Sequence, residues 1–137
     1  MDLDSLERQG YIAKIFPNKT KVNDLLKLAK RDIKTAKNIL KQDSDWAYSI
    51  SYNAGLQTLR ALMFSKGYRP TGSNQHLAVV RFAELFLDIE KVVVFDRMRR
   101  KRHISIYDTA GTISNTEAKN SIKFAESLIK KIEKMIS

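Results

Sequence analysis

The densest chemistry in this sequence lies in one segment, Asp96-Arg97-Met98-Arg99-Arg100-Lys101-Arg102-His103-Ile104-Ser105-Ile106-Tyr107-Asp108. Five of the six residues from Arg97 to Arg102 are basic. Crowding these cations costs like-charge repulsion, which solvent, carboxylates or a bound anion must offset. Guanidinium groups suit phosphate, because their planar fork donates two parallel hydrogen bonds. Histidine exchanges a proton near pH 7. A helix through the segment puts Asp96, Arg99, Arg100, His103 and Tyr107 on one stripe, and Val94, Met98, Arg102 and Ser105 on another. The first stripe suits phosphodiester chemistry, with His103 as base, arginine on the phosphate and Tyr107 orienting it. A solvated basic face fits the same spacing.

His76 follows Ser73-Asn74-Gln75, near an expected helix start. Packing or capping is expected of it, ahead of a phosphate contact at a helix N-terminus. There is no Cys, no HExxH and no carboxylate cluster at metal-ligand spacing, so no metal and no cofactor are expected. GxGxxG and GxxxxGK[ST] are also absent. Trp46, Tyr48, Tyr52 and Phe64 fall at helical spacing and read as core, not as a platform for stacking bases.

Hydrophobic period identifies the elements that must position these groups. Val22, Leu26, Ala29, Ile33, Ala36 and Leu40 are separated by gaps of 4, 3, 4, 3 and 4, and so are Ala118, Ile122, Ala125, Ile129, Ile132 and Ile136. Both patterns mark bundle-seam helices, expected to run antiparallel. Thr20 or Asn23 can cap the first; Ser114 or Asn115 can cap the last, with Glu117 completing a capping box for Ser114. A helix from Trp46 to Lys66 is apolar on two sides, which predicts a central position. Gly55 inside it costs about 1 kcal/mol relative to Ala and predicts close approach of another backbone. Gly67 ends this helix, and Tyr68 to Gly72 reads as a turn. Ser73 or Asn74 opens a shorter helix to about Leu87, and a further helix runs from Ile89 to Tyr107. Val92-Val93-Val94 could form a strand, but no partner strand is visible. Asp2 to Ile15 reads as a short helix stopped by Pro17.

The totals agree with a helical chain. The sequence has 137 residues, with 25 Lys and Arg against 15 Asp and Glu, a formal charge of +10. With only 5 Gly and 2 Pro, it is short of the turn residues that a many-stranded sandwich or barrel needs. The expected fold class is all-α, an up-and-down bundle of four to five helices. A single domain is expected over 1–137, with a short helix in 1–17 and the bundle in 20–136. The charge favours polyanionic partners. Apolar runs reach only about four residues, so no membrane span is expected. The absence of Cys and the polar, acidic stretch from Met1 to Gly10 suit a cytoplasmic location.

The order of segments resembles the HEPN domains. The resemblance rests on Leu28-Ala29-Lys30-Arg31-Asp32-Ile33, on the run from Ala47 to Ala54 followed by Arg60-Ala61-Leu62, on Lys66-Gly67-Tyr68-Arg69-Pro70, on His76, and on Arg102 to Asp108. It covers roughly residues 20–136. The resemblance implies a helical bundle, a homodimer, and a metal-independent endoribonuclease that acts as the toxin of a toxin–antitoxin system beside a nucleotidyltransferase antitoxin. It implies that a His activates the ribose 2′-hydroxyl while an Arg stabilises the charge developing on phosphorus. The family signature is an Arg, a polar residue, three further residues and a His. Arg102 takes the Arg position, His103 the polar position, and Tyr107 stands where the final His is expected. A second register pairs Arg97 with His103. Residues five or six apart do not share one face of a straight helix, so either pair needs a helix end, a kink or two subunits. Arg99, Arg100 and Lys101 are the expected phosphate or RNA contacts. A phenol is a poor base at pH 7. The alternative is therefore a catalytically inactive module that binds RNA or a nucleotide, or meets an antitoxin.

Overall fold

Most of the helices begin at a side chain that caps them. In the computed structural model, which describes residues 1–136, Asp2 opens α1 (Leu3–Arg8), Asn18 opens α2 (Lys19–Ile39), Asp43 opens α3 (Ser44–Ser65) and Asn74 opens α4 (Gln75–Ala83). Each cap accepts a hydrogen bond from the backbone N–H three residues on. The α2 cap is thus Asn18, upstream of Thr20 and Asn23. Helix α5 (Ile89–Tyr107) starts without a side-chain cap. Before α6 (Asn115–Ile136), Glu117 N–H donates to Ser114 Oγ at 3.0 Å and Ser114 N–H donates to Glu117 Oε1 at 3.3 Å. That reciprocal pair is the expected capping box.

Helix α3 occupies the centre of the bundle, packed against α2, α4, α5 and α6. Its small residues allow close approach: Ala54 meets Ala29, Ile33 and Ala36 of α2 and Ile122, Ala125 and Ile129 of α6 in one buried cluster. The α2 and α6 seams run antiparallel, because Lys30 Nζ donates to Glu133 at 2.8 Å while Lys37 Nζ donates to Glu126 at 2.7 Å. Gly55 faces a side chain and not the expected backbone: a Cβ there would lie 3.3 Å from the Phe95 ring of α5. Residues Val92 to Val94 are helical.

The N-terminal segment differs from the expected helix. Helix α1 stops after Arg8, and Gly10 takes a left-handed φ of +80°. Tyr11 N–H then reaches back to Leu6 O at 3.0 Å and Gly10 N–H to Glu7 O at 3.1 Å, closing the helix end in a Schellman arrangement. The chain continues as β1 (Ile12–Lys14), antiparallel to β2 (Tyr68–Pro70) where a turn was expected. Ile12 pairs with Pro70, Ala13 with Arg69 and Lys14 with Tyr68. The ribbon satisfies backbone groups that the helix would have used, and it buries Ile12 against the core. Gly67, at φ +85°, lets its carbonyl accept from Ile15 N–H at 2.9 Å.

Trp46 is 52% exposed, not core. It lies in the first turn of α3, where it lines a shallow concavity with Ser105, Ile106 and Ala110. Tyr48 and Tyr52 are buried as expected. Phe64 is half-buried, with Lys21 and Arg60 over its ring. No helix among the described residues is long and apolar enough to cross a membrane.

Candidate functional site

The last two turns of α5 form one wall of a cavity of about 590 Å³. Arg99, Arg100, Arg102, His103, Ile104 and Tyr107 line it from α5; Asn74 and His76 line it from the start of α4. The two α5 stripes divide as their spacing predicts. Asp96 accepts from Arg99 Nε at 2.8 Å and lies 3.5 Å from Arg100 Nε, so one carboxylate holds both guanidinium groups. His103 and Tyr107, one turn apart, bring their rings to 4.8 Å. On the inner stripe Met98 and Ser105 are buried. Arg102 reaches the same cavity by lying over the Tyr52 ring, 5.5 Å from its centroid. Arg102 and Tyr107 therefore line one cavity of one chain, because the cavity wraps around the end of α5.

Arg102 is half-buried and has one unsatisfied donor. Its Nε is buried without a hydrogen-bond partner, and no carboxylate pairs with it among the described residues. A half-buried guanidinium with an unpartnered Nε and no carboxylate beside it favours an anion.

Arg97 and Lys101 lie elsewhere. Arg97 lines a separate concavity of about 160 Å³ with Tyr48, Met98, Glu117 and Ser121. Burial, reinforced by the Glu117 charge, pushes the Tyr48 phenol up to about 12 against the opposing pull of Arg97. Lys101 pairs with Glu117 across the α5–α6 turn. The hydrogen bond from Lys101 is the main reason the Glu117 carboxyl is held below its usual range. The structure thus gathers Arg99, Arg100, Arg102, His103 and Tyr107, and leaves Arg97 and Lys101 outside.

It also brings in a residue that sequence reading left to packing. His76 Nδ1 lies 2.8 Å from the Tyr52 hydroxyl, and the two rings stack at 5.8 Å. Tyr52 in turn stacks on Phe95 at 5.1 Å. Burial lowers the proton affinity of His76, and Arg102, Arg99 and Arg60 lower it further. Burial likewise holds the Tyr52 phenol well above its ordinary value. Its sequence signals were its place beside a helix cap and its part in the resemblance.

No group of three or more His, Asp or Glu among the described residues could hold a metal ion. The arrangement can bind an oxyanion on guanidinium donors and present imidazole groups beside it.

The HEPN domain family model matches residues 22–135. The chain belongs to the HEPN family. Two solved structures share this HEPN fold. One is TT1696 from Thermus thermophilus, with a TM-score of 0.64 and 16% identity over 83% of this chain and 97% of that one. The other is ST0689, an archaeal HEPN homologue, with a TM-score of 0.64 and 16% identity over 85% of this chain and 98% of that one. No curated protein is significantly similar in sequence.

Proposed function

We propose that this HEPN protein binds RNA phosphate in the α4–α5 cavity and cleaves RNA without a metal. The observation that carries the reading is the convergence of Arg99, Arg100 and Arg102, whose Nε is buried without a partner, with histidine in one cavity. The guanidinium groups hold the phosphate, an imidazole accepts the 2′-hydroxyl proton, and the 2′-oxygen displaces the 5′-oxygen. The products are a cyclic phosphate and a 5′-hydroxyl. Incubation of RNA with the protein in a chelator tests this: cyclic-phosphate ends are expected, and a single 2′-deoxy substitution should protect its own linkage. Cleavage that requires added metal, or that cuts DNA equally, overturns the reading.

Tyr107 at the position of the family's final His favours a second reading, in which the protein holds RNA without cutting it. Steeply salt-dependent binding with no product would establish that reading. Tyr107 is 64% exposed, so it is also open to a nucleotidyltransferase antitoxin. A mass shift that Tyr107→Phe removes would support such a toxin–antitoxin pairing. A homodimer has its own support: Ile89, Val93, Ile104 and Tyr107, all exposed, fall on one stripe of α5.

A further inference from the structure

We propose that His76 is the general base of this cavity, supplied from α4, with Tyr52 as the residue that fixes its tautomer. The inference rests on the cleavage reading above and names the group that carries the proton. Tyr107 leaves α5 one imidazole short of the family pattern, and the fold places a second imidazole against the same guanidinium groups.

The geometry gives each atom a task. We assign the proton of the 2.8 Å contact to Nδ1, so that it donates to the Tyr52 oxygen and the lone pair lies on Nε2. Tyr52 can hold that position because its ring is fully buried between His76 and Phe95. The charged groups facing His76 are Arg60 from α3 and Arg99 and Arg102 from α5. Asp96 is already engaged by Arg99 and Arg100. Arg60, half-buried, donates to Gln57 at 2.7 Å and has no carboxylate partner among the described residues. An imidazole ringed by cations stays neutral at pH 7 until a phosphate offsets them, so it is ready to accept a proton when substrate arrives.

In the reaction Nε2 takes the proton of the 2′-hydroxyl. The 2′-oxygen then bonds to phosphorus as the bond from phosphorus to the 5′-oxygen breaks. The leaving 5′-oxygen takes a proton from water, and the protonated His76 then returns its proton to water. Arg102 neutralises the charge that builds on the non-bridging oxygens.

Cleavage of a short RNA is measured from pH 5 to 8, with binding of its 2′-O-methyl analogue measured in parallel. His76→Gln is expected to slow cleavage on the order of a hundredfold or more, with analogue affinity within about twofold and the acidic limb of the rate profile lost. Tyr52→Phe is expected to slow cleavage on the order of tenfold and to move that limb to lower pH. A merely structural His76 would leave the limb in place. If His76→Gln does not fold, imidazole nitrogen NMR of the intact protein decides: Nε2 is expected to be unprotonated at pH 7.5, and the Nε2–H tautomer overturns the proposal. Wild-type cleavage with an unchanged rate and profile in His76→Gln overturns the role of His76 alone. A wild-type protein that binds the analogue and yields no fragments overturns both the cleavage reading and the base.

Discussion

Arg102 and Arg97 are five positions apart in one basic run, yet the fold treats them differently. Arg102 lies over Tyr52 with a buried, unpartnered Nε; Arg97 opens into another concavity. Arg102→Ala should therefore weaken RNA binding about tenfold or more and reduce its salt dependence by about one counterion. Arg97→Ala should change affinity less than about twofold; fluorescence anisotropy across a salt series measures both. His76 makes a separate thermodynamic prediction. Its folded-state proton affinity lies below the unfolded value, so the folded chain binds fewer protons than the unfolded one as pH falls past about 6.5. The stability linked to the neutral imidazole is complete above that pH and is lost as pH falls toward the folded value. Thermal melts from pH 7.5 to 5.5 should show a smaller acid loss for His76→Gln than for the wild type.

At the scale of elements, the long helices were legible and the ribbon was not. The gaps from Val22 to Leu40 and from Ala118 to Ile136 define α2 and α6 because each buries one continuous stripe against α3. A three-residue strand such as Ile12–Lys14 has no period to detect, and its partner lies beyond two helices. The candidate site divides in the same way. Its α5 half is contiguous in sequence, whereas His76 and Tyr52 come from α4 and α3, and Tyr52 carries the same signature as any core aromatic. Gly55 is an element-scale test. Alanine would gain about 1 kcal/mol of helix propensity but would put a methyl 3.3 Å from Phe95, whose ring is buried and stacked on Tyr52. Overpacking costs about 1–3 kcal/mol. Gly55→Ala should therefore destabilise the protein by about 1 kcal/mol, as measured by urea denaturation.

For the whole molecule, the +10 charge is unevenly used. Lys30 and Lys37 are engaged in tying α2 to α6, and Lys101 in holding the start of α6. Lys27, Lys34, Lys123 and Lys130 are exposed along α2 and α6, whereas Arg99, Arg100 and Arg102 line one cavity at the far end of α5, beside the exposed Ile104 and Tyr107. If a second copy covers the outward α5 stripe, Val93→Asp should shift the light-scattering mass from dimer to monomer without unfolding the chain. A wild-type mass equal to one chain would remove the homodimer.

The ribbon also sets an order in time. It joins Ile12 to Pro70 in a chain whose other pairings are mostly helical and local, so its closure meets a larger loop entropy than any helical turn. From β2 the chain runs within a few residues into Asn74 and His76. On refolding, the helices should therefore appear before the ribbon closes, and the α4 wall of the cavity should be completed last. Stopped-flow circular dichroism should then show the helical signal rising before the tyrosine fluorescence change that reports packing around Tyr52 and His76.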